Sequence, residues 1–415
     1  MPRKLIVPKQ PEINVGTVGH VDHGKTTLIQ SLTGIWTSSH SEELRRGITI
    51  KIGYADMPIY EYTDKNGRRR YSVTPEVRDN VSKVEFKRTI SFVDCPGHES
   101  LMANMLSGAA VMDGALLVIA ANEPCPRPQT KEHLTALEIL GIDKIVVIQN
   151  KIDLVSREEA LRNYEQIRAF LETTSVAKNA PIIPVSSIFK LNTEYVLEAI
   201  QKYIPTPRRD LSKPVRMFVI RSFDVNKPGT PYDKLAGGVI GGSILQGVVK
   251  IGDELEIVPG YLERKGGRIV HEPIYTEVLS LSTQYLRLKE AHSGGLVGIQ
   301  TDLDPSLTRA DRMVGNVVGK PGTLPEVRYE LEMKTTLFKY VVGTDETIKV
   351  AKIRVNEPLR LNIGSATTLG IVKSVKDDNV YVDLSKPVAA EKGWKVAIAR
   401  NVNNRWRLIG VGEVL

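Results

Sequence analysis

Apolar and polar positions follow two different patterns along the chain, and the change falls near its middle. In the first half, short apolar runs alternate with stretches that have helical spacing. The apolar runs are predicted strands and cover residues 13–18, 89–93, 115–120, 145–148 and 181–185. Strands that alternate with helices are typical of a mostly parallel sheet with helices on both faces. The first half is therefore predicted to be an α/β domain.

The second half has no long helical pattern and consists of short β-like runs separated by glycine, proline and Asx turns. Its predicted strands cover residues 215–222, 238–245, 253–258, 296–300, 348–355, 359–363 and 380–384. Such spacing favours closed antiparallel barrels, which leave no unpaired edge strand. Proline-rich turns near residues 205 and 325 mark predicted boundaries. We expect an α/β domain over residues 1–207 and β-barrels over residues 208–325 and 326–415.

The loop after the first predicted strand carries the first chemical motif. Residues 19–26 read GHVDHGKT and fit G-x-x-x-x-G-K-[ST] between a strand and a helix, the context expected of a phosphate-binding loop. Backbone N–H groups converge there at the positive end of the helix dipole. Lys25 is expected to reach the β- and γ-phosphates, and Thr26 to bind magnesium. The predicted phosphate-binding residues are Asp22, His23, Gly24, Lys25, Thr26 and Thr27.

Three further motifs follow in the order that a nucleotide-binding sheet requires. The first, DCPG at residues 94–97, places Asp94 where it could hold a magnesium-bound water and the N–H of Gly97 where it could meet a γ-phosphate. The second, NKID at residues 150–153, offers the Asp153 carboxylate to the N1 and exocyclic amine of guanine, whereas adenine presents no such donor pair. The third, SSI at residues 186–188, offers backbone N–H groups to the guanine carbonyl oxygen. The predicted guanine-binding residues are Asn150, Lys151, Asp153, Ser186, Ser187 and Ile188.

Composition sets broad limits on the class of protein. The chain has 415 residues, of which 41% are hydrophobic and 25% charged, which suits two or three domains. No apolar run reaches membrane-spanning length and residues 1–9 lack the apolar core of a signal peptide, so a cytoplasmic location is expected. The formal net charge of +8 favours an acidic partner such as RNA, although solubility alone also explains it. The two cysteines, Cys95 and Cys125, form no C-x-x-C pair and predict neither a zinc site nor a disulfide.

The motifs GHVDHGKTT, RGITI at residues 46–50 and DCPGH at residues 94–98 resemble those of the translational GTPases. Within that group the chain resembles the gamma-subunit family of archaeal and eukaryotic translation initiation factor 2. This closer resemblance rests on residues 40–47, 121–126, 221–230 and 406–410. It implies an α/β P-loop GTPase domain followed by two antiparallel β-barrel domains.

The insert at residues 53–88 departs from the family pattern. Many members carry cysteine pairs there that form a zinc knuckle, whereas residues 57–87 of this chain contain no cysteine. Residues 61–71 are strongly basic and include Asn66-Gly67, a favoured hairpin turn. We therefore expect a short exposed β-ribbon and no zinc. Ser187, which replaces the usual alanine of the third motif, is a milder change because its backbone N–H remains.

The resemblance also implies the metal ligands of the site. Thr26 and Thr49 would bind Mg²⁺ directly, and Asp94 would bind it through a water. Asp22 and the carbonyl of Gly47 are candidates for a second magnesium ion. The implied ligands of the protein are thus GTP or GDP together with Mg²⁺.

His98, directly after Gly97, is the candidate that orients or stabilises the attacking water during GTP hydrolysis. The alternative is an exposed histidine with no chemical role. In relatives an apolar pair holds the equivalent histidine away until activation, and Val21 and Ile48 occupy those positions here. Slow intrinsic turnover and a GTPase-activating partner, ribosomal or proteinaceous, are therefore implied. His20 and His23 are expected to have a polar structural role in the phosphate loop. Ordinary surface or core positions are expected for the others: His40, His133, His271 and His292.

The function that the resemblance implies is a GTP-dependent initiation factor. Such a factor binds initiator methionyl-tRNA and delivers it to the small ribosomal subunit, and GTP hydrolysis triggers release. The implied partners include alpha and beta subunits in a heterotrimer. Residues 237–257 fit an amino-acid pocket or plain barrel corners equally well.

Two other functions stay open. One is an elongation-type carrier of other aminoacyl-tRNAs, including a selenocysteine-specific form, which usually adds a fourth domain beyond the three expected here. The more distant one is a GTPase that activates sulfate chemistry together with a nucleotidyltransferase. RNA binding would separate it from the other two.

Overall fold

The computed structural model describes residues 7–38, 49, 51–77, 83–266, 268–343 and 348–415. The chain divides into two compact units. The first is Met1–Arg208 with Gln284–Leu286, and the second is Arg209–Thr283 with Arg287–Leu415. Within the described ranges, every helix is too short or too polar to span a bilayer.

The first unit contains a seven-stranded sheet. Its strands in chain order are β1 (Ile13–Val18), β2 (Gly53–Thr63), β3 (Arg69–Ser72), β4 (Glu85–Asp94), β5 (Gly114–Ala120), β6 (Ile145–Asn150) and β7 (Ile182–Pro184). They are ordered β3-β2-β4-β1-β5-β6-β7 across the sheet. Strands β4, β1, β5, β6 and β7 run parallel, and β2 and β3 are antiparallel additions at one edge. The loops at the carboxyl ends of the parallel strands therefore lie along one edge, where such sheets bind ligands.

Helices cover both faces of this sheet. They are α1 (Lys25–Thr33), α2 (Met102–Ala109), α3 (Pro128–Ile139), α4 (Arg157–Glu172) and α5 (Thr193–Tyr203). Every residue of β1, β5 and β6 is buried. Successive strand residues face opposite sides of a sheet, so uninterrupted burial means that both faces are covered. One face packs on α1 and α5 through the fully buried Leu28 and Ile200, against Ile13 and Phe92 of the sheet.

The second unit is built from two closed antiparallel barrels. The first barrel contains β8 (Arg216–Phe223), β9 (Val239–Gln246), β11 (Glu254–Lys265), β12 (Arg268–Ser282), β15 (Val297–Thr301) and β16 (Val317–Gly319). Pairing of β11 with β12 closes this ring. Shorter elements accompany it: β10 (Val248–Lys250), β13 (Arg287–Leu288), β14 (Glu290–His292) and α6 (Pro305–Thr308). The second barrel is closed by β17 (Val327–Leu337), β18 (Pro358–Ile363), β19 (Ala366–Lys376), β20 (Asn379–Ala389), β21 (Lys395–Val402) and β22 (Arg405–Val414).

The predicted fold class is confirmed, and the boundaries near residues 207 and 325 stay predictions. One predicted strand is wrong: residues 348–355 form no strand, and the only pairing there is a single bridge from Lys349 to Tyr340. Ile353 is buried in the core of the second barrel, with Ile348 and Val350 packed beside it. The apolar spacing therefore comes from an irregular segment that covers the barrel core. The hairpin expected in the insert is present, since β2 pairs with β3 from Tyr60 to Thr63.

Candidate functional site

The GHVDHGKT loop connects β1 to α1 and wraps tightly because two glycines allow it. Gly19 has φ 137° and Gly24 has φ 88°, which are left-handed values that side chains disfavour. A Cβ atom on Gly19 would lie 2.2 Å from the carbonyl oxygen of Val118, and one on Gly24 would lie 2.3 Å from Nδ2 of Asn150. The loop therefore lies directly against the ends of β5 and β6.

Lys25, the first residue of α1, points its ammonium group back over this loop. Its Nζ donates to the carbonyl oxygens of Gly19 at 3.0 Å and His20 at 2.7 Å. Burial lowers the pKa of Lys25 to about 8, against the attraction of the nearby Asp94 carboxylate. At neutral pH the group is still mostly protonated. A Cβ atom on Gly97 would lie 2.4 Å from Nζ, so the backbone of the DCPG motif reaches the same point.

Hydroxyl groups converge on the Asp94 carboxylate at the end of β4. Thr26 Oγ1 donates to Oδ2 of Asp94 at 2.7 Å and lies 3.1 Å from Oγ1 of Thr49. These are the three residues that the sequence predicts as magnesium ligands. Magnesium prefers hard oxygen ligands, so this cluster fits Mg²⁺, whereas zinc sites use nitrogen and sulfur. Within the described ranges, no group of three or more His, Cys, Asp or Glu side chains is arranged to hold a metal.

Sequence reasoning missed three neighbours of this cluster. Thr37 Oγ1 donates to Oδ2 of Asp94 at 2.5 Å, Thr17 Oγ1 donates to Oδ1 at 2.8 Å, and the hydroxyl of Ser38 lies 2.8 Å from that of Thr49. Thr37 and Ser38 lie in a run of serine and threonine just after α1, and such runs are too common to signal a site.

Three further predicted residues lie in or directly after the phosphate loop. Asp22 is exposed in the phosphate loop with φ 61°. Thr27 follows Thr26 in α1, and Val21 is half-buried. Gly47 and Ile48, proposed for the second magnesium and the apolar pair, lie outside the described residues, as does His40.

His98 is exposed directly after Gly97. The backbone N–H of Ser100 donates to Nδ1 of His98 at 3.3 Å, and the Ser100 hydroxyl lies 2.9 Å from the same atom. Because Nδ1 accepts this bond, the neutral ring carries its proton on Nε2. Nε2, the ring nitrogen that is farther from the backbone, is then a hydrogen-bond donor.

Asn150 links the phosphate loop to the SSI motif. Its Nδ2 donates to the carbonyl oxygen of His23 at 2.9 Å, while its Oδ1 accepts from the N–H of Ser187 at 3.1 Å and from its hydroxyl at 2.8 Å. Both side chains are buried. The serine at position 187 therefore adds a hydrogen bond that alanine could not make. Asn150 fixes two loops of the site relative to each other.

The remaining residues of the guanine motifs lie beside this link and differ in their exposure to solvent. The N–H of Ile152 donates to the carbonyl oxygen of Val185 at 3.4 Å, which holds the NKID and SSI loops side by side. Asp153 is exposed on the 3₁₀ turn Ile152–Leu154, and Lys151 before it has φ 61°. Ser186 is buried, whereas Ile188 is 70% exposed. An exposed Asp153 beside these loops is accessible to a base.

His133, expected to be an ordinary residue, contacts the phosphate loop directly. From α3, its Nδ1 accepts a hydrogen bond from the N–H of Gly19 at 2.9 Å, inside the protein. Burial lowers the pKa of His133 to about 3, so the ring is neutral at physiological pH. His23 is also buried, with its Nδ1 3.1 Å from the carbonyl oxygen of Val118. No spacing rule in the sequence indicates either contact.

We expect His133→Ala to accelerate GDP release about tenfold, because a buried N–H left without its acceptor costs about 1–3 kcal/mol and Gly19 begins the phosphate loop. Stopped-flow displacement of a fluorescent GDP analogue measures this rate. His133→Asn should restore part of the wild-type rate, since its Oδ1 can accept the same bond. His292→Ala, in the second unit, serves as the control. A wild-type release rate in His133→Ala would contradict the anchoring role.

Comparisons with known families match both halves of the chain. The model of the elongation factor Tu GTP-binding domain matches residues 10–206, and that of the C-terminal region of initiation factor eIF2 gamma matches residues 329–414. The translation initiation factor 2 subunit gamma of Archaeoglobus fulgidus is 56% identical over 404 residues, which cover 97% of this chain and 94% of the relative. The corresponding protein of Pyrococcus abyssi is 55% identical over 406 residues and covers 98% of both chains.

Solved structures show the same arrangement of elements. A bacterial selenocysteine-specific elongation factor matches 97% of this chain with a TM-score of 0.73 and 26% identity, although this chain spans only 58% of its length. The elongation factor SelB of Methanococcus maripaludis, solved with a GTP analogue, matches 99% of this chain and 79% of its own, with a TM-score of 0.70. Its identity of 24% supports a likeness in fold alone.

Proposed function

Since this chain belongs to the gamma-subunit family of translation initiation factor 2, a family of GTP-binding translation factors, we propose that it binds initiator methionyl-tRNA and delivers it to the small ribosomal subunit. The observation that carries the proposal is the contact between Thr26 of the phosphate loop and Thr49 beside Asp94. These two threonines are 23 positions apart in the sequence, and they meet where the γ-phosphate of GTP would bind. A change in the nucleotide can thereby alter the position of Thr49.

The chain's own groups would hold the nucleotide through charge. Lys25 and the loop N–H groups would face the phosphates of a bound nucleotide, where negative charge grows during hydrolysis. Thr26, Thr49 and Asp94 would hold Mg²⁺, which supplies further positive charge to the phosphates when bound. Gly97, whose backbone approaches Lys25, would report the γ-phosphate through its N–H. These groups would position the nucleotide and neutralise the charge of its phosphates, without forming a covalent intermediate.

Hydrolysis by this GTPase would be slow until a partner places His98 against the attacking water. The exposed position of His98 supports this, because an exposed side chain is free to be moved by a docking partner. Val21 and Ile48 are proposed to restrain it beforehand. Asp22 and the carbonyl of Gly47 are proposed for a second magnesium ion. Alpha and beta subunits are proposed to complete a heterotrimer with this chain.

A comparison of charged tRNAs tests the function. Filter binding with a non-hydrolysable GTP analogue should retain methionylated initiator tRNA, and GDP should weaken retention at least about tenfold, a typical coupling between two sites. Adding a candidate alpha subunit should strengthen it. In the presence of the GTP analogue, Lys25→Ala should retain initiator tRNA only as weakly as the wild type does with GDP. Equal binding of elongator tRNAs would favour the elongation-type alternative, and no tRNA binding in either nucleotide state would refute the proposal.

A further inference from the structure

The hairpin formed by β2 and β3 occupies the insert where many family members carry a zinc knuckle, and a single carboxylate closes its turn. Asp64 Oδ1 accepts from the N–H groups of Asn66 and Arg68, each at 2.9 Å. The backbone N–H of Asp64 donates to Arg68 at 2.9 Å, and that of Gly67 donates back to Asp64 at 3.0 Å. Gly67 supplies the left-handed conformation, with φ 72°, that this turn requires.

The same carboxylate ties the turn to the rest of the first unit. Asp64 Oδ2 accepts from Nε of Arg70 at 3.2 Å, and the Arg70 guanidinium lies 5.8 Å from the ring centre of Tyr195 in α5. The N–H of Arg68, with Arg70 among the further causes, lowers the pKa of Asp64, so it stays ionised. Tyr71 and Val73 pack against the core below. The turn is therefore ordered by hydrogen bonds and packing.

Charge is distributed unevenly over this hairpin. The two acidic side chains of residues 60–72 are both engaged by cations: Asp64 with Arg70, and Glu61 with Lys87 at 3.2 Å. Arg69 approaches Glu61 only to 3.7 Å, and its side chain is 71% exposed. The turn itself presents three further exposed positions: Lys65, Asn66 and Arg68. The tip is therefore a rigid, positively charged projection.

This tip lies at the end of β2 away from Asp94. Gly53, at the start of β2, pairs with Asp94. Ten residues separate it from Thr63 at the other end of the strand, which corresponds to about 30 Å of extended chain.

We propose that the tip of the β2–β3 hairpin, residues 64–69, binds the phosphate backbone of structured RNA. Three of its exposed side chains are cationic, and arginine matches phosphate geometry with paired N–H donors. The segment DKNGRR contains no apolar or aromatic residue, whereas protein interfaces depend on such anchors. Phosphate contacts fix position without reading sequence, so many structured RNAs should bind. The inference rests on the proposed function only in taking RNA as the partner class.

The experiment measures how binding of a short RNA duplex of arbitrary sequence depends on salt. Replacing two arginines, Arg68→Ala with Arg69→Ala, should weaken binding at low salt about tenfold and make the slope of log affinity against log salt shallower by about one to two units. The matched control, Lys250→Ala with Lys395→Ala, removes the same charge from lysines paired with Glu290 and Glu413 in the second unit. Its slope should stay close to that of the wild type.

Three results would overturn the proposal. Equal losses in both double variants would show general attraction by net charge, and no loss in either would show that the tip does not contact RNA. Loss of binding to an acidic peptide, polyglutamate, with RNA binding kept would indicate a protein partner. Unchanged GTP affinity in the arginine variant establishes that it is folded. The binding of initiator tRNA in the presence of GTP and of GDP is measured separately. A negative result for the tip therefore does not contradict the proposed function.

Discussion

Replacing Asp153 with asparagine is expected to lower the affinity for GTP about a hundredfold and to transfer the preference to xanthosine triphosphate. A carboxylate accepts from both N1–H and the exocyclic amine of guanine, and hydrogen bonds to a charged group contribute about 1.5–3 kcal/mol each. Asparagine offers an N–H₂ donor in place of one acceptor, which suits the carbonyl that xanthine carries instead of the amine. Asp153 is exposed on its turn, so the substitution leaves the fold intact.

Equilibrium titration with fluorescent GTP and XTP analogues measures both affinities. Asp143→Asn is the matched control, since Asp143 is an exposed aspartate paired with Lys144 elsewhere in the same unit. It should bind GTP as the wild type does. Unchanged selectivity for GTP over XTP in Asp153→Asn would remove the argument for guanine recognition.

The sequence predicts those parts of the site that depend on local backbone geometry. The phosphate loop needs Gly19 and Gly24 because a side chain at either would collide with a neighbouring strand, so the motif is visible as spacing. Asp94 is likewise predictable, because it ends a strand and ligands bind at the carboxyl ends of parallel strands. These residues can be placed before any contact is known.

Contacts between distant segments could not be predicted in this way. His133 reaches the N–H of Gly19 across 114 positions, and Thr37 reaches Asp94 across 57. Neither residue has a neighbour pattern that marks it, because the folding of α3 and of the segment after α1 creates the contact. The error at residues 348–355 has a related cause, since apolar spacing records burial and does not record which backbone groups pair.

The hairpin in the insert is only partly predictable from the sequence. Asn66-Gly67 predicts the turn from sequence alone. The role of Asp64 depends on two backbone N–H groups and on Arg70, which pairing of β2 with β3 brings together. A carboxylate thus orders this turn, and the absence of cysteines from residues 57–87 gave no indication of which residue does so.

Replacing His98 with alanine is expected to reduce partner-stimulated GTP hydrolysis about a thousandfold while leaving GTP affinity unchanged. Positioned groups of this kind contribute typically about 10²–10⁴ in rate. The loss of hydrolysis rate should appear only in the stimulated reaction, because without a partner His98 is exposed and bonded to Ser100. Single-turnover hydrolysis with small ribosomal subunits and initiator tRNA measures it. Loss of GTP binding instead would show that His98 has a structural role.

The hydrogen bond from Ser100 decides what His98 can do. With Nδ1 accepting, the neutral ring presents a donor at Nε2, which can orient a water or stabilise phosphate oxygen but cannot remove a proton from water. Glutamine also presents an N–H donor, so His98→Gln should keep a measurable part of the stimulated rate. Ser100→Ala is the matched control and should lower that rate only a few-fold, because the Ser100 backbone N–H remains. If His98→Gln is as slow as His98→Ala, general-base catalysis replaces positioning as the explanation.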